Sequence, residues 1–202
     1  VIIGAGAIGS SIAYHLGRLG ARDVVVLERE TIGSGSTSKA AGGIRVQFST
    51  RVEIEFSLRG MAFWKRFEDE MGVPCDFRQE GYLFVITREE DLARYKENVA
   101  LQQSMGCDVR VVAPDDARAI VPGLIVDDVL AAVWGPMDGY ASPNDVVQAY
   151  AARARARGVK FIEETPVTGI ELDGRRVVAV QTSVGRIETR LVKTFADIRT
   201  CR

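Results

Sequence analysis

The sequence predicts an α/β fold whose first part is a strand, a glycine-rich turn, a helix and a second strand. The β-branched and apolar residues 1–3 precede six residues, 4–9, that include three glycines. Apolar residues then recur every three or four positions as far as Leu19, a spacing typical of a helix that buries one face. Residues 23–27, which are apolar after Asp23, predict a second buried strand. Together these observations predict a Rossmann-like β-α-β unit.

The glycine-rich turn has the spacing G-x-G-x-x-G, at Gly4, Gly6 and Gly9. In a dinucleotide-binding unit the first glycine permits a tight turn, the second lets the backbone approach a pyrophosphate, and the third lets the helix pack against the strand. Ala7 and Ile8 open the helix, so their amides and the positive end of the helix dipole face the phosphates. The turn therefore predicts a site for the diphosphate of a dinucleotide.

An acidic residue, Glu28, stands at the end of the second strand and is followed by Arg29. Glu28 lies roughly 20 residues after Gly9, where a carboxylate accepts hydrogen bonds from ribose hydroxyls. The alternative is an ordinary β-α-β turn. In that case the glycines only relieve crowding, and Glu28 is a solvated charge at a strand end.

A long stretch of small and hydroxylic residues, 33–48, follows the second strand. Hydroxyl groups such as those of Ser36 and Thr37 can bind a second set of phosphate oxygens. The paired glycines Gly42 and Gly43 let the backbone pass a flat ring. This pattern favours a long cofactor, FAD, over NAD; an NAD-dependent dehydrogenase stays open as the alternative and predicts a colourless protein.

The rest of the chain alternates between helical and strand patterns. Ser142 is the predicted cap of one helix, and Thr87 with Glu90 forms a predicted capping box for another. Helices are predicted over 54–71, 87–105, 114–121 and 142–158. Strands are predicted over 81–87 and 159–162, followed by a β-meander over 167–172, 177–182 and 185–192.

Charge and composition exclude several classes of function. The 26 basic and 27 acidic residues give a net charge of −1, so there is no electrostatic reason to expect nucleic acid or an anionic membrane as a partner. The longest apolar stretch, 129–134, is too short to span a bilayer. A single histidine, His15, and three cysteines without C-x-x-C spacing predict no metal site. We expect His15 to be a packing or surface residue, and the cysteine pattern favours a reducing compartment, the cytoplasm.

Several motifs resemble those of one group of flavoenzymes. They are E-R-E at 28–30, G-S-G-S-T-x-x-x-A-G-G-I-R-x-Q-F at 33–48, E-G-Y-L-F at 80–84 and P-M-D-G-Y-A-S-P at 136–143. On these motifs the chain is similar, over about residues 1–192, to FAD-dependent amine oxidoreductases of the D-amino-acid oxidase and sarcosine oxidase superfamily. Within that superfamily it most resembles the β subunits of heterotetrameric sarcosine oxidase and dye-linked proline dehydrogenase, with dimethylglycine dehydrogenase close by.

The resemblance implies a role for each candidate site residue. Arg45 and Gln47 would approach the isoalloxazine ring of FAD as the catalytic pair, and Arg45 is the candidate partner for a substrate carboxylate. Val167 would lie on the strand whose backbone touches adenine. The other residues implied to bind FAD are Gly4, Gly6, Ala7, Ile8, Gly9, Glu28, Arg29, Ser36, Thr37, Gly42, Gly43 and Ile44.

The resemblance also implies a division of the chain and a reaction. Residues 1–80 and 140–202 would belong to the FAD-binding domain, and 81–139 would be part of an inserted α+β substrate domain. The reaction would oxidise the C–N bond of a small secondary amine or amino acid, such as sarcosine, dimethylglycine or proline, by hydride transfer to flavin N5. The alternative is a chain that binds FAD without turnover, as a fragment or an accessory subunit.

The end of the chain departs from the pattern that the resemblance implies. After Val192 an apolar strand ending in a small-residue turn is expected, but residues 193–202 have neither glycine nor strand alternation. We therefore expect the family fold to be cut short after about Val192. The implied partners are a small amine or amino acid and a complementary subunit or a second copy of the chain.

Overall fold

The computed structural model describes residues 1–194. No helix in this part of the chain is long and apolar enough to cross a membrane. The strands and helices are β1 (Ile2–Ile3), α1 (Ala7–Arg18), β2 (Val25–Leu27), β3 (Gly43–Ile44), α2 (Arg51–Trp64), α3 (Phe67–Met71), β4 (Tyr82–Ile86), α4 (Glu89–Ser104), β5 (Arg110–Val112), α5 (Pro114–Ile120), β6 (Ala131–Gly135), β7 (Gly139–Tyr140), α6 (Pro143–Arg155), β8 (Lys160–Ile162), β9 (Val167–Asp173), β10 (Arg176–Thr182), β11 (Gly185–Glu188) and β12 (Lys193–Thr194).

The chain divides into two compact units, and the mixed α/β class that the sequence predicts is confirmed. The first unit comprises Val1–Ala41, Met71–Cys75 and the chain from Ser142 onward. The second unit comprises Gly42–Glu70 and Asp76–Ala141. The assignment of chain segments to a FAD-binding and a substrate domain stays a prediction.

In the first unit a four-stranded parallel sheet has the order β12-β1-β2-β8. Strand β1 pairs in parallel with β2 on one side and with β12 on the other. The predicted meander is present as the antiparallel sheet β11-β10-β9. Ile3, Leu27 and Val180 form one buried cluster that joins the meander to the parallel sheet. The apolar residues that predicted these strands therefore form the buried core of this sheet.

Helices α1 and α6 pack against each other in the same unit. The Ser142 hydroxyl accepts a hydrogen bond from the Asp145 N–H at 3.3 Å, and Pro143 occupies the first turn, so the predicted start of α6 is confirmed. The helix is followed by Gly158, whose φ of +86° favours glycine. Its small face is buried at Ala149, Ala151 and Ala154.

The second unit is built on an antiparallel sheet with the order β4-β6-β5. Alternate residues of β6 point to opposite faces of this sheet. Val133 joins a buried cluster with Ile54 of α2 and Val99 of α4. Ala132 joins a smaller cluster with Ala117 of α5. The unit thus has α2 and α4 over one face of the sheet and α5 over the other.

Two predicted helix boundaries were wrong. The apolar periodicity from residue 54 to 71 spans two helices, α2 and α3, and α2 begins earlier because Thr50 caps it by accepting from the Glu53 N–H at 3.3 Å. The predicted capping box at Thr87 is absent, since α4 begins at Glu89 with Arg88 as the residue that precedes it and no side-chain cap. The acidic first turn of α4 complements the helix dipole instead.

The strand pattern near the end of the described chain also differs from the prediction. The last strand of the meander, β11, ends at Glu188 and not at Val192. Although residues 193–202 lack strand alternation, Lys193 and Thr194 pair with Ile2 and Ile3 as β12. These two residues form backbone hydrogen bonds with β1, which is a buried strand. The local sequence pattern of residues 193–194 does not predict this pairing. Residues 195–202, with Cys201 among them, lie outside the described residues.

Candidate functional site

The turn between β1 and α1 brings two parts of the backbone into close contact. Gly4 has a φ of +98°, a conformation that favours glycine, and its N–H donates to the carbonyl of Leu27 at 2.8 Å. A Cβ atom on Gly9 would lie 2.0 Å from the carbonyl oxygen of Gly4. Gly4 and Gly9 are therefore needed by the backbone geometry of this turn, independently of any ligand.

The N-terminus of α1 is only partly capped. The Ala7 N–H donates to Oγ1 of Thr37 at 3.0 Å, and a Cβ on Gly6 would lie 3.1 Å from the same oxygen. Within residues 1–194 the amides of Ile8 and Gly9 donate to no other group. Since the first N–H groups of a helix have no partner inside it, this end of α1 offers donors and a positive dipole end to an anion.

Glu28 lies at the end of β2, with its carboxylate directed toward the glycine turn. Its Oε2 accepts a hydrogen bond from the Ala5 N–H at 2.7 Å, and its Oε1 accepts one from the Glu30 N–H at 3.2 Å. Arg29 is exposed and lies 3.7 Å from the Glu30 carboxylate. The strand thus delivers a partly exposed carboxylate, which can accept further hydrogen bonds, to the same turn as the α1 amides.

The other candidate residues of the first unit lie near this turn or on the meander. Ser36 is exposed and precedes a single 3-10 turn, Thr37–Lys39. Val167 opens β9 and packs against the cluster that contains Ile3, Leu27 and Val180. Its side chain is thus used for packing, and only its backbone stays available for the adenine contact that the resemblance implies.

Five candidate residues belong to the second unit. Gly43 and Ile44 form β3, which pairs with Gly139 and Tyr140 of β7. The carbonyl of Gly42 accepts from the Ala141 N–H at 3.0 Å and extends this pairing. The A-G-G-I-R motif is therefore anchored to the P-M-D-G-Y motif, although almost one hundred residues separate them in the sequence.

Arg45 and Gln47 follow β3 directly in the sequence. The guanidinium of Arg45 lies over the ring of Tyr82, 4.5 Å from its centroid, in a cation–π contact. The Gln47 side-chain amide donates to the carbonyl of Tyr82 at 3.1 Å. Tyr82 thus fixes both residues that the resemblance implies to be catalytic.

Asp138 is a buried carboxylate that the sequence reasoning did not single out. Its Oδ1 accepts from the Val46 N–H at 2.7 Å and its Oδ2 accepts from the Gln47 side-chain amide at 2.8 Å. Burial raises the pKa of Asp138 above its ordinary value, although these two hydrogen bonds and the nearby charge of Arg45 oppose the shift. The sequence does contain a signal for this residue, because in P-M-D-G-Y an aspartate stands between apolar residues and a glycine.

The residues of the first unit fit the nucleotide part of FAD. The glycine turn leaves no room for side chains, α1 offers amide donors for phosphates, and the Glu28 carboxylate is placed for ribose hydroxyls. The structure brings Gly4, Gly6, Ala7, Ile8, Gly9, Glu28 and Thr37 to one turn. The individual cofactor contacts of all candidate residues stay predictions. Among the described residues no cluster of metal-ligating side chains is present.

The sequence matches one protein family and is similar to several known proteins. The profile of a protein family described as FAD dependent oxidoreductase (DAO) matches residues 1–194. Mitochondrial sarcosine dehydrogenase of Homo sapiens is 33% identical over 204 residues, an alignment that covers 98% of this chain and 22% of that protein. Sarcosine oxidase subunit beta of Rhodobacter capsulatus is 26% identical over 193 residues, covering 93% of this chain and 47% of that protein.

A solved structure is similar over nearly the whole chain. L-proline dehydrogenase from P. horikoshii superposes with a TM-score of 0.89 at 35% sequence identity. The match covers 97% of this chain and 52% of that one. The chain therefore spans 22% of the human relative and about half of the other two proteins.

Proposed function

The chain belongs to the family of FAD-dependent oxidoreductases, and on this premise we propose that it binds FAD and acts in the oxidation of a C–N bond in a small secondary amine or amino acid. The similar proteins are named for sarcosine and L-proline, and both of these molecules are secondary amines with a carboxylate. Dimethylglycine, the third substrate that the sequence implies, is the corresponding tertiary amine.

The observation that carries this proposal is the Glu28 carboxylate held at the glycine turn, 2.7 Å from the Ala5 nitrogen. In this arrangement Glu28 would accept hydrogen bonds from the ribose, while the amides of Ile8 and Gly9 would donate to the pyrophosphate. When bound, FAD supplies an oxidised ring that accepts a hydride equivalent from the carbon beside the amine nitrogen. The protein residues then have to bind and orient, and few acids or bases are required.

On the substrate side we assign Arg45 to the carboxylate of an amino acid. A guanidinium can hold a carboxylate through two parallel hydrogen bonds, which fixes its orientation as well as its position. The contact with the Tyr82 ring restricts the motion of the Arg45 side chain. The hydrogen bond from the Val46 N–H to Asp138 restrains the backbone immediately after it.

Compartment and assembly also belong to the proposal. Cys107 is buried and forms no disulfide within residues 1–194, which supports a reducing compartment such as the cytoplasm. One relative is named as a subunit, and this supports assembly with a complementary subunit or with a second copy of the chain. Cell fractionation and size-exclusion chromatography of the purified protein test these two points.

The visible absorption spectrum of the purified chain tests cofactor binding. We expect the yellow colour of oxidised flavin, and release of FAD on denaturation. A colourless protein that binds NAD and gains no absorbance after incubation with FAD would contradict the proposal.

Turnover is tested separately, with sarcosine, dimethylglycine and proline as substrates and a dye as electron acceptor. We expect reduction of the dye with at least one of these amines. An Arg45→Lys variant keeps the positive charge but cannot form the two parallel hydrogen bonds, so KM for the amino acid should rise by about tenfold or more. A chain that holds FAD but reduces no dye with any of the three would favour the alternative, a FAD-binding chain without turnover.

A further inference from the structure

Gln47 uses both hydrogens of its side-chain amide inside the protein. The amide nitrogen donates to the carbonyl of Tyr82 at 3.1 Å and to Oδ2 of Asp138 at 2.8 Å. These two bonds fix the orientation of the amide, because the reverse orientation would place its oxygen against two other acceptors. The oxygen, Oε1, is itself buried. The amide hydrogens are therefore already used, and the oxygen lies out of the reach of a ligand.

Asp138 holds this amide from the other side. Its side chain is fully buried, and its two oxygens accept one hydrogen bond from the Gln47 amide and one from the Val46 N–H at 2.7 Å. The backbone N–H of Asp138 donates to the carbonyl of Gly135 at 3.2 Å, and its carbonyl accepts from the Gly81 N–H at 2.8 Å. The Gln47 side chain and the Asp138 carboxylate together form what we call the buried clamp.

The buried clamp lies directly against Gly135 of β6, where there is no room for a side chain. A Cβ atom at this position would lie 2.5 Å from the Gln47 amide nitrogen and 3.2 Å from Oδ2 of Asp138. The amide cannot move aside without losing its two hydrogen bonds. The bond between the two side chains is thus enclosed by the strand, where a hydrogen bond to a carboxylate is stronger than it is in water.

The clamp restrains the backbone that follows Arg45. The Val46 N–H donates to Asp138, and the Val46 carbonyl accepts from the Phe48 N–H at 2.9 Å. The side chain of Val46 is completely buried. Both backbone polar groups of Val46 therefore have partners, and the direction in which Arg45 leaves the main chain is fixed.

The Arg45 guanidinium is held by a ring and by backbone, not by hydrogen bonds. It lies over the Tyr82 ring, 4.5 Å from the centroid. On another side, a Cβ atom on Gly43 would lie 3.2 Å from one of its terminal nitrogens. Among residues 1–194 the guanidinium forms no ion pair and donates no hydrogen bond.

Asp138 attracts this cation without pairing with it. Burial raises the pKa of Asp138, and the positive charge of Arg45 is one of the influences that oppose this rise. Each carboxylate oxygen is nevertheless bonded elsewhere, one to Gln47 and one to Val46. The N–H groups of the guanidinium therefore stay available for the carboxylate of a ligand.

We propose that Gln47 is a positioning residue that acts through Arg45, and that the buried clamp keeps the Arg45 guanidinium oriented and unpaired for the carboxylate of an amino-acid substrate. This inference rests on the proposed function, in which Arg45 binds that carboxylate, and it narrows the substrate class to amines that carry one. It places Gln47 behind Arg45, in place of the approach to the isoalloxazine ring that the resemblance implies.

Hydrogen exchange of glutamine side chains, followed by NMR, tests the clamp in the unmodified full chain without FAD or substrate. Both amide hydrogens of Gln47 are hydrogen-bonded, whereas the exposed Gln103 has one such bond, to the carbonyl of Val109. We expect the Gln47 amide hydrogens to exchange at least about tenfold more slowly than those of Gln103. Equal exchange rates of the two side chains would overturn the clamp.

Gln47→Met removes the clamp at similar size, and Gln103→Met is its matched control. NMR relaxation of the Arg45 Nε–H group reports the order of the guanidinium on the picosecond to nanosecond timescale, again without a ligand. We expect this order to be lost in Gln47→Met and kept in Gln103→Met, which removes a side-chain hydrogen bond elsewhere in the same unit. An Arg45 side chain that stays equally ordered in both variants would refute the proposal.

Kinetics with sarcosine and proline separate positioning from contact with the flavin. In Gln47→Met, KM should rise by about tenfold, and this rise should exceed the fall of kcat, because the lost contribution is to carboxylate binding. In an Arg45→Lys background the same substitution should change KM little further, since the clamp acts through the guanidinium. An equal effect in both backgrounds, or a fall confined to kcat, would contradict the proposal.

The NMR measurements separate this inference from the proposed function, because they need neither FAD nor turnover. If Gln47 exchanges fast while the chain oxidises the amines, only the clamp is refuted. An Arg45 that depends on Gln47 for its order, in a chain that reduces no dye, would contradict only the proposed function.

Discussion

Gly9 is the residue whose side chain the fold can least accommodate at the nucleotide turn. In Gly9→Ala the new Cβ would lie 2.0 Å from the carbonyl oxygen of Gly4, so α1 would have to move away from β1. We expect the free energy of unfolding to fall by about 1–3 kcal/mol, the usual effect of overpacking, and FAD affinity to fall with it. Chemical denaturation and titration with FAD measure the two effects.

Gly60→Ala is the matched control for this substitution. Gly60 lies inside α2, and a Cβ there would meet nothing within 4 Å. Alanine should therefore stabilise the chain by about 0.5–1 kcal/mol, because it restricts the unfolded backbone without a clash. A Gly9→Ala protein as stable as the Gly60→Ala protein would contradict the geometry of the turn.

Asp138 makes stability depend on pH in a direction opposite to that of most paired carboxylates. Burial raises the pKa of this carboxyl in the folded protein, so the folded chain holds the proton more tightly than the unfolded chain does. The free energy of unfolding should therefore fall as pH rises from about 3.9, the ordinary pKa of aspartate, through the raised value. Denaturation at a series of pH values measures this slope.

Asp138→Asn should remove that part of the pH dependence, because asparagine does not titrate. At a pH where Asp138 is ionised it should also lower the hydrogen-bonding contribution to stability by about 1 kcal/mol, since asparagine has one acceptor oxygen for the two donors from Val46 and Gln47. Asp108→Asn, at an exposed position, should keep the slope of the unmodified protein. A slope unchanged in Asp138→Asn would show that other groups cause it.

At the scale of secondary structure, α6 depends on a cap that can be removed without touching the core. Ser142→Ala deletes the hydroxyl that accepts from the Asp145 N–H. We expect a loss of about 1 kcal/mol in the free energy of unfolding, because one N–H at the helix start is left without its acceptor. Thermal or chemical denaturation followed by circular dichroism provides the measurement.

Ser183→Ala serves as the comparison for α6. Ser183 is exposed in the turn between β10 and β11, and its only described hydrogen bond is made by its backbone N–H to Pro166. Substitution there should change stability by less than about 0.5 kcal/mol. If both serine variants lose equal stability, the cap is not the cause.

At the scale of the whole molecule, a cofactor that binds only the folded chain must stabilise it. FAD at one hundred times its dissociation constant should add about 2.7 kcal/mol to the free energy of unfolding. For a chain of 202 residues this corresponds to a rise in Tm of roughly 5–11 °C. Differential scanning calorimetry with and without added FAD measures the shift.

NAD at the same concentration is the matched ligand for this experiment. It shares the adenosine diphosphate part, so a shift of equal size would indicate that the turn recognises that part alone. We expect a smaller shift with NAD, because the predicted contacts of residues 42–44 are with the flavin end. A shift with NAD and none with FAD would revive the dehydrogenase alternative.

Local patterns determined much of the first unit. Glycine spacing, apolar periodicity and the strand-end acid were sufficient to predict β1, α1 and β2 and to place Glu28 at the turn. The cap at Ser142 was predictable for the same reason. These features depend on residues close together in the chain, so their physical causes are visible in short windows of sequence.

Only the tertiary structure decided the features that join distant parts of the chain. Asp138 bonds to the backbone 92 residues before it, Gln102 bonds to a carbonyl 54 residues before it, and β12 pairs with the first residues of the chain. None of these partners is implied by its own neighbours in sequence. Whether a polar side chain is buried, and what then satisfies it, depends on which elements the whole fold packs against it.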